Sequence, residues 1–322
     1  MKWLSQFGVI AACLVLGAAA QTQGHAQDKY PSKPIHVVVP LSAGSATDML
    51  ARIVIEPMTA DLGQTFIVEN RAGAGGTLGA AVVAKADPDG YTLLAHSAAH
   101  SVAPAIYSKL PYDVTADFKG IIPFGNAPTV LVMSPSKGIK SIAELTAAAK
   151  AKPGSLNFAS AGIGTGTHLA AERYIQSAGI KAQHIPFKGG PEVLAGRVDF
   201  MFGALPSAQP HIISGGLIVL ATSSKKRISV LPNVPTTEES GYADSHYDVW
   251  LGLLAPAKTP PDVIEKLRAS TAKAMALPIV QERFKQLGME PLTLSPAEFD
   301  AQIRAEIAAN KKIIENAGIK SN

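Results

Sequence analysis

Two short segments carry residue types suited to holding a small molecule. Ser42-Ala43-Gly44-Ser45-Ala46-Thr47 follows the β-branched run Ile35–Pro40. Ser160-Ala161-Gly162-Ile163-Gly164-Thr165 follows a second short run, Asn157–Ser160. Both read S-A-G-x-x-T, and both lead into a helical pattern, which implies two similar lobes that each present one such turn. A strand-to-helix turn leaves the first N–H groups of the helix unpaired, and the helix dipole places partial positive charge there. Glycine admits a ligand to the backbone, and serine and threonine add short donors. Two such turns facing each other would bind a carboxylate or phosphate without any arginine or lysine. N-capping by Ser42, Ser45, Thr47 or Thr165 is the plainer use of the same residues, and both readings stand at this level. Asp48 reads as a first-turn acid that complements the dipole.

Patterns for catalysis do not emerge. A nucleophile elbow needs G-x-S-x-G, and Pro40 and Phe158 stand where its first glycine belongs. No G-K-[S/T] follows a glycine run, so there is no P-loop. Gly73–Gly79 misses the dinucleotide fingerprint by one residue. His96 and His100 have the i, i+4 spacing of a zinc pair but no glutamate between them, and a short loop after a strand suits them equally. His168 opens a helix, where packing or capping is the simpler role. Spacing picks out no carboxylate pair. The expectation is a chain without catalytic residues, metal or cofactor.

The elements that would position these turns alternate along the chain. Strands are expected at Ile35–Pro40, Thr65–Glu69, Tyr91–Ala95, Thr129–Ser134, Asn157–Ser160 and Ile218–Thr222. Helices are expected at Thr47–Leu62, after Gly73–Gly79 up to Lys85, and at Ile142–Ala151, Leu169–Ser177, Asp262–Met275 and Pro296–Asn316. Pro57 should kink or end the first of these, and Gly179 should cap the fourth. This order predicts an α/β fold with mainly parallel sheets.

Composition agrees with a folded, exported chain. Of 322 residues 47% are hydrophobic and 17% charged, with formal net charge +4 and one cysteine, Cys13. Disorder and a disulfide scaffold are both excluded. The long apolar run, Phe7–Ala20, follows Lys2 and precedes the small residues of Gly24-His25-Ala26. That is the plan of a signal peptide at 1–26, cut after Ala26. A membrane anchor and a lipoprotein box ending at Cys13 are the competing readings. Removal of the leader takes away Cys13, as suits an oxidising compartment. Basic residues are scattered apart from Lys225-Lys226-Arg227, which has no aromatic residue interleaved, so no nucleic-acid partner is expected.

Several longer blocks resemble a known family. They are Tyr30–Ile35, VENRAGAGG (Val68–Gly76), DPDGYTLL (Asp87–Leu94), LPYD (Leu110–Asp113), KPGSLNFASAGIGTGTHLA (Lys152–Ala170), LPNVPTTEESG (Leu231–Gly241) and GLLAPAKTP (Gly252–Pro260). In order and across the whole mature chain, they are similar to the tripartite tricarboxylate transporter solute-binding proteins, also called Bug or TctC-like receptors. The resemblance implies a type II periplasmic-binding-protein fold, two α/β lobes closing on a ligand in the cleft. Lobe one would be 27–125 plus 251–322 and lobe two 126–250, hinged near Gly125–Pro128 and Asp248–Leu251. The ligand would be a small carboxylate: a di- or tricarboxylate, an amino acid or an aromatic acid.

The same resemblance assigns a binding site. The first loop would supply Leu41, Ser42, Gly44, Ser45, Ala46 and Thr47. The second would supply Ser160, Ala161, Gly164, Thr165, Thr167 and His168. Ser97, His100 and Ser101, with Gly203, would line the rest. Hydroxyl donation to the carboxylate is expected from Ser45 and Thr165, with Lys188 and Arg197 mattering less. The chain departs from the family in three places. Leu41 replaces an aromatic residue and Ser45 a glycine, Gly190–Ala195 is about one turn short, and Gly203 stands where many members carry a polar or acidic side chain. The implied function is a periplasmic receptor, monomeric, that hands its ligand to the membrane permease subunits of a tripartite tricarboxylate transporter. A receptor presenting ligand to a membrane kinase and a hydrolase or isomerase using the same cleft are the alternatives.

Overall fold

A computed structural model describes residues 30–187 and 197–319. The expected leader with its Ala26 cleavage site, Lys188 and Gly190–Ala195 lie outside the described residues. Chain contacts separate residues 1–32 from residues 33–322, and every element named here belongs to the second group.

Strand β1 (Ile35–Val39) buries Ile35, Val37, Val38 and Val39, as a continuous apolar run requires of a strand covered on both faces. It leads through the first S-A-G-x-x-T turn into helix α1 (Ala46–Leu62). Then follow β2 (Phe66–Asn70), α2 (Thr77–Ala84), β3 (Thr92–Ser97), α3 (Ala99–Ile106) and β4 (Phe118–Ala127). Past Pro128 the chain enters a second sheet with β5 (Thr129–Met133), α4 (Ile142–Ala151), β6 (Leu156–Ser160), α5 (Gly166–Ala178), β7 (Ala182–Pro186), β8 (Phe200–Ala204), α6 (Leu205–Ile213) and β9 (Ile218–Thr222). Strand β10 (Val249–Pro256) returns to the first sheet, and α7 (Pro261–Met275), α8 (Pro278–Gln286) and α9 (Pro296–Ala317) complete the chain.

The strand orders are β2-β1-β3-β10-β4 and β7-β6-β8-β5-β9. They are the same arrangement twice. In each sheet four strands run in one direction and the fourth in the order, β10 or β5, runs antiparallel to both its neighbours. The expectation of mainly parallel sheets is therefore corrected to mixed sheets. The physical reason is that β5 and β10 arrive by crossing from the other sheet and so run against their neighbours. The two crossings lie side by side, because Val249 pairs with Ala127 and Trp250 with Asn126. In both sheets the order reverses beside the strand carrying the S-A-G-x-x-T turn: between β1 and β3, and between β6 and β8. Such switch points leave a crevice at the carboxyl ends of the strands.

Of the two expectations for Pro57, a kink or an end, the second is excluded, because helix α1 continues through it to Leu62. Burial of Val54, Ile55 and Met58 around that position outweighs the ~3 kcal/mol of an interior proline. Gly179 ends its helix in the left-handed conformation as read, and Gly63 and Gly318 end α1 and α9 in the same way.

His96 and His100 are fully enclosed in the first sheet's layer, their rings 5.3 Å apart, with His100 edge-on to Phe118. Burial pushes His96 well down and lowers His100 from 6.5 to about 4. Both are neutral when folded, whereas unfolding lets them protonate below pH 6.5. Stability from these groups is thus present above pH 6.5 and is lost as pH falls from there towards 4. Urea unfolding at about pH 7.5 and about pH 5 is expected to show a loss of about 2 kcal/mol from His100 alone. His100→Leu should remove that share of the loss; an undiminished acid sensitivity in the variant would contradict the assignment.

Candidate functional site

Between the two sheets lies a cavity of about 310 Å³. Four strand-to-helix turns supply most of its wall. Leu41, Gly44, Ser45, Ala46 and Thr47 come from the turn after β1, and Ser97 from the end of β3. Ala161, Thr165, Gly166 and Thr167 come from the turn after β6; Gly203, Ala204, Ser207 and Ala208 come from β8 and the start of α6. Thr129, Met201, His211, Leu217, Val249 and Leu251 fill the remainder with Ala43 and Ala127. No lysine, arginine, aspartate or glutamate lies among these lining residues.

The donors that face this space are backbone groups left over at helix starts. Ser45 caps α1 in extended conformation, its Oγ accepting the Asp48 N–H at 3.3 Å. Asp48 in turn fixes the turn from behind. Its carboxylate accepts from the Gly44 N–H, the Arg52 guanidinium and the Asn70 amide, all at 2.9 Å, and the Asn70 amide also reaches the Leu41 carbonyl. Arg52 offsets the charge of Asp48, so the turn does not repel an anion. With these bonds made, the N–H groups of Ala46 and Thr47 have no hydrogen-bond partner among the described residues.

The second turn repeats the arrangement with different residues. Thr165 is the residue before α5, extended like Ser45. His168 stands where Asp48 stands, its Nδ1 accepting the Gly164 N–H at 3.1 Å, and its Nε2 lies 3.5 Å from Glu172. His184 stacks on His168 with ring centres 3.8 Å apart and hydrogen-bonds Ser160 Oγ at 2.6 Å. Burial, with His168 alongside, pushes His184 down to about 3. The Gly166 and Thr167 N–H groups are again without a partner among the described residues. Side-chain bulk is excluded here: a Cβ on Gly166 would sit 2.4 Å from Val249 Cγ2.

Several of the expected site residues are engaged elsewhere or lie off the cavity wall. Thr165 Oγ1 donates its proton to the Gly162 carbonyl at 2.8 Å, and Thr167 Oγ1 accepts from the Ala161 N–H and bonds Thr165. Thr165 therefore braces its own turn instead of offering a hydroxyl to a ligand. Ser160 and His168 are buried in the wall behind the turn, and Gly164 spends its N–H on His168, so none of the three reaches the cavity. Ser42 does not line it either. His100 and Ser101 turn away because the chain coils into α3 just past Ser97. Ser101 Oγ lies 2.8 Å from Glu306 on α9, in the core. Arg197 is exposed and off the wall. Sequence reading missed α6 altogether, with Ser207, Ala208 and His211; Pro206 at its first turn was the available signal. Among the described residues no cluster of three or more His, Cys, Asp or Glu could hold a metal ion.

The free donors set an expected outcome. Ser45 Oγ–H remains available after capping, whereas Thr165 Oγ–H does not. Ser45→Ala should weaken binding of a small carboxylate by about ten-fold. Thr165→Val should lower the melting temperature, for a stability loss of about 1–2 kcal/mol, while affinity changes less than for Ser45→Ala. Calorimetric titration paired with thermal melts separates the two; equal loss of affinity in both variants would contradict this division of roles.

The geometry has counterparts among known proteins. A family model described as the tripartite tricarboxylate transporter family receptor matches residues 50–319. BugT of Bordetella pertussis is 35% identical over 316 residues, 95% of this chain and 97% of the relative. The periplasmic binding protein BugD superposes with a TM-score of 0.87 at 35% identity, covering 91% of this chain and all of its own. R. palustris Rpa4515 with adipate gives 0.87 at 29% identity over 91% of this chain and 100% of that one. MatC of Rhodopseudomonas palustris with bound malate gives 0.84 at 30% identity over 88% and 100%. Two mixed α/β sheets facing across a cavity, with this likeness along nearly the whole chain, place the protein in the tripartite tricarboxylate transporter receptor family, among the TctC-like and Bug solute-binding proteins.

Proposed function

We propose that this chain is a periplasmic receptor that captures a small organic carboxylate between its two lobes and delivers it to the membrane permease of a tripartite tricarboxylate-type transporter. The observation that carries the reading is that, among the described residues, the N–H groups of Ala46, Thr47, Gly166 and Thr167 are unpaired around a cavity wall with no lysine or arginine. A carboxylate meets this need: it offers two acceptor oxygens and a charge that two helix N-termini stabilise. Adipate and malate in two of the similar structures support the ligand class. Export rests on the Lys2, Phe7–Ala20 and Gly24–Ala26 pattern, with Gln27 as the first mature residue.

Binding is favoured over turnover by the placement of Ser160. Its hydroxyl does meet a histidine, His184, but it is 1% exposed and tied within its turn to Gly162. Ser160 is not among the residues lining the cavity.

The two lobes would bend where the chain crosses, near 125–128 and 248–251. They already touch across the cleft, since a Cβ on Gly75 would lie 2.3 Å from the Ile163 carbonyl oxygen, and Ser207 Oγ reaches the Gly44 carbonyl at 3.4 Å. Gly75 does not line the main cavity, and its φ of +62° suits glycine. Screening the mature protein against carboxylates by thermal shift should find a stabilising ligand, and mass spectrometry should recover that ligand unchanged. Gly75→Val should then obstruct closure. Affinity should fall by about ten-fold, and the saturated variant should keep a larger radius of gyration in small-angle scattering than the saturated parent. A chemically altered ligand, or no stabilisation by any carboxylate, would overturn the receptor reading.

A further inference from the structure

The cavity wall extends beyond the four turns along one helix. Ser207 sits in the first turn of α6 and reaches Gly44 in the turn after β1, which places that end of α6 beside the donors of α1. His211 is four residues on, on the same helical face, and also lines the cavity. At 1.5 Å per residue it lies roughly 6 Å further along the axis. Met201, Ala208 and Leu217 give this stretch an apolar wall.

Among the described residues, His211 is the one ionisable side chain in the lining. Its carbonyl is engaged by the Leu217 N–H and the Ser214 hydroxyl, but its ring has no hydrogen-bond partner among the described residues. An imidazole offers an N–H donor at a fixed position. Resting on the carboxylate reading above, we infer that His211 is a specificity-determining residue: it receives a second acidic group of the ligand, about one helical turn of α6 beyond the Ser207 end that meets Gly44. The ligand class is thereby narrowed to flexible dicarboxylic acids with a short apolar spacer. One carboxylate lies on backbone donors, the spacer lies along Met201, Ala208 and Leu217, and the distal carboxylate meets the imidazole.

Matched acids test the assignment by calorimetric titration: glutarate against pentanoate, and adipate against hexanoate. The parent protein should bind each diacid about ten-fold or more tightly than its monoacid. His211→Leu should reduce diacid affinity to the monoacid level and leave monoacid affinity within about two-fold, which also shows that the variant is folded. His211→Gln, which retains an N–H donor, should recover part of the preference. The inference is overturned if His211→Leu keeps the full diacid preference, or if it weakens diacid and monoacid equally, as a merely structural role would. Failure of the parent to bind any of the four acids, where another carboxylate does bind, would overturn this inference and spare the receptor reading. Failure with every carboxylate would overturn both.

Discussion

The site depends on leaving two pairs of first-turn N–H groups unpaired while satisfying everything around them. Every helix starts with donors that its own ladder cannot use. Here the neighbouring N–H groups are taken up locally: Gly44 by the Asp48 carboxylate, Asp48 by Ser45 Oγ, Gly164 by His168 Nδ1 and Ala161 by Thr167 Oγ1. What is left over at Ala46, Thr47, Gly166 and Thr167 lies on the cavity wall. Backbone dipoles lining one cavity can stabilise an anion without the long, mobile side chain of a lysine or arginine to order. That economy demands stiff turns, and the hydrogen bonds behind them supply the stiffness.

The supports behind the two turns differ in kind. Asp48 is charged, and its charge is met by Arg52 and by the Asn70 amide that also holds Leu41. His168 is uncoupled from that network and is buttressed by aromatic stacking on His184 and Phe158. Both solutions put an acceptor at the third position of the helix, reaching back to the glycine before the cap.

The placement of the donors follows from the sheets. Each turn lies at the switch point of its own sheet, and the two sheets are joined where β4 passes into β5 and where β10 returns beside it. Near that junction Trp250 is buried and donates its indole N–H to Glu306 at 2.7 Å, which ties α9 to the returning strand. Glu306 is largely enclosed, and burial pushes its carboxyl above the usual range. The carboxyl-terminal helix thereby fixes the strand at whose start Val249 packs on Gly166, the first residue of α5.

Local chemistry in the sequence determined much of this. The β-branched run at Ile35–Val39, the caps at Ser45, Ser141 and Ser295, and the glycines at 63, 179 and 318 specify their elements because the cause lies within a few residues. Ile142–Ala151 and Ile218–Thr222 fall where the pattern puts them. The repeated S-A-G-x-x-T drew attention to the right two turns, yet the letters are out of step with the structure: the cap of α1 is Ser45, the fourth residue of the motif, and that of α5 is Thr165, the sixth. What the turns share is backbone geometry, and no letter code records it. Tertiary structure alone decided which hydroxyls are free, because Thr165 and Ser45 are both plausible donors until their partners are counted. It alone moved His100 and Ser101 into the core, and it alone brought α6 with Ser207 and His211 to the cavity. It also made the sheets mixed, since strand direction depends on where a chain crosses between lobes, and the residues at a crossing such as Pro128 carry no mark of which sheet awaits them.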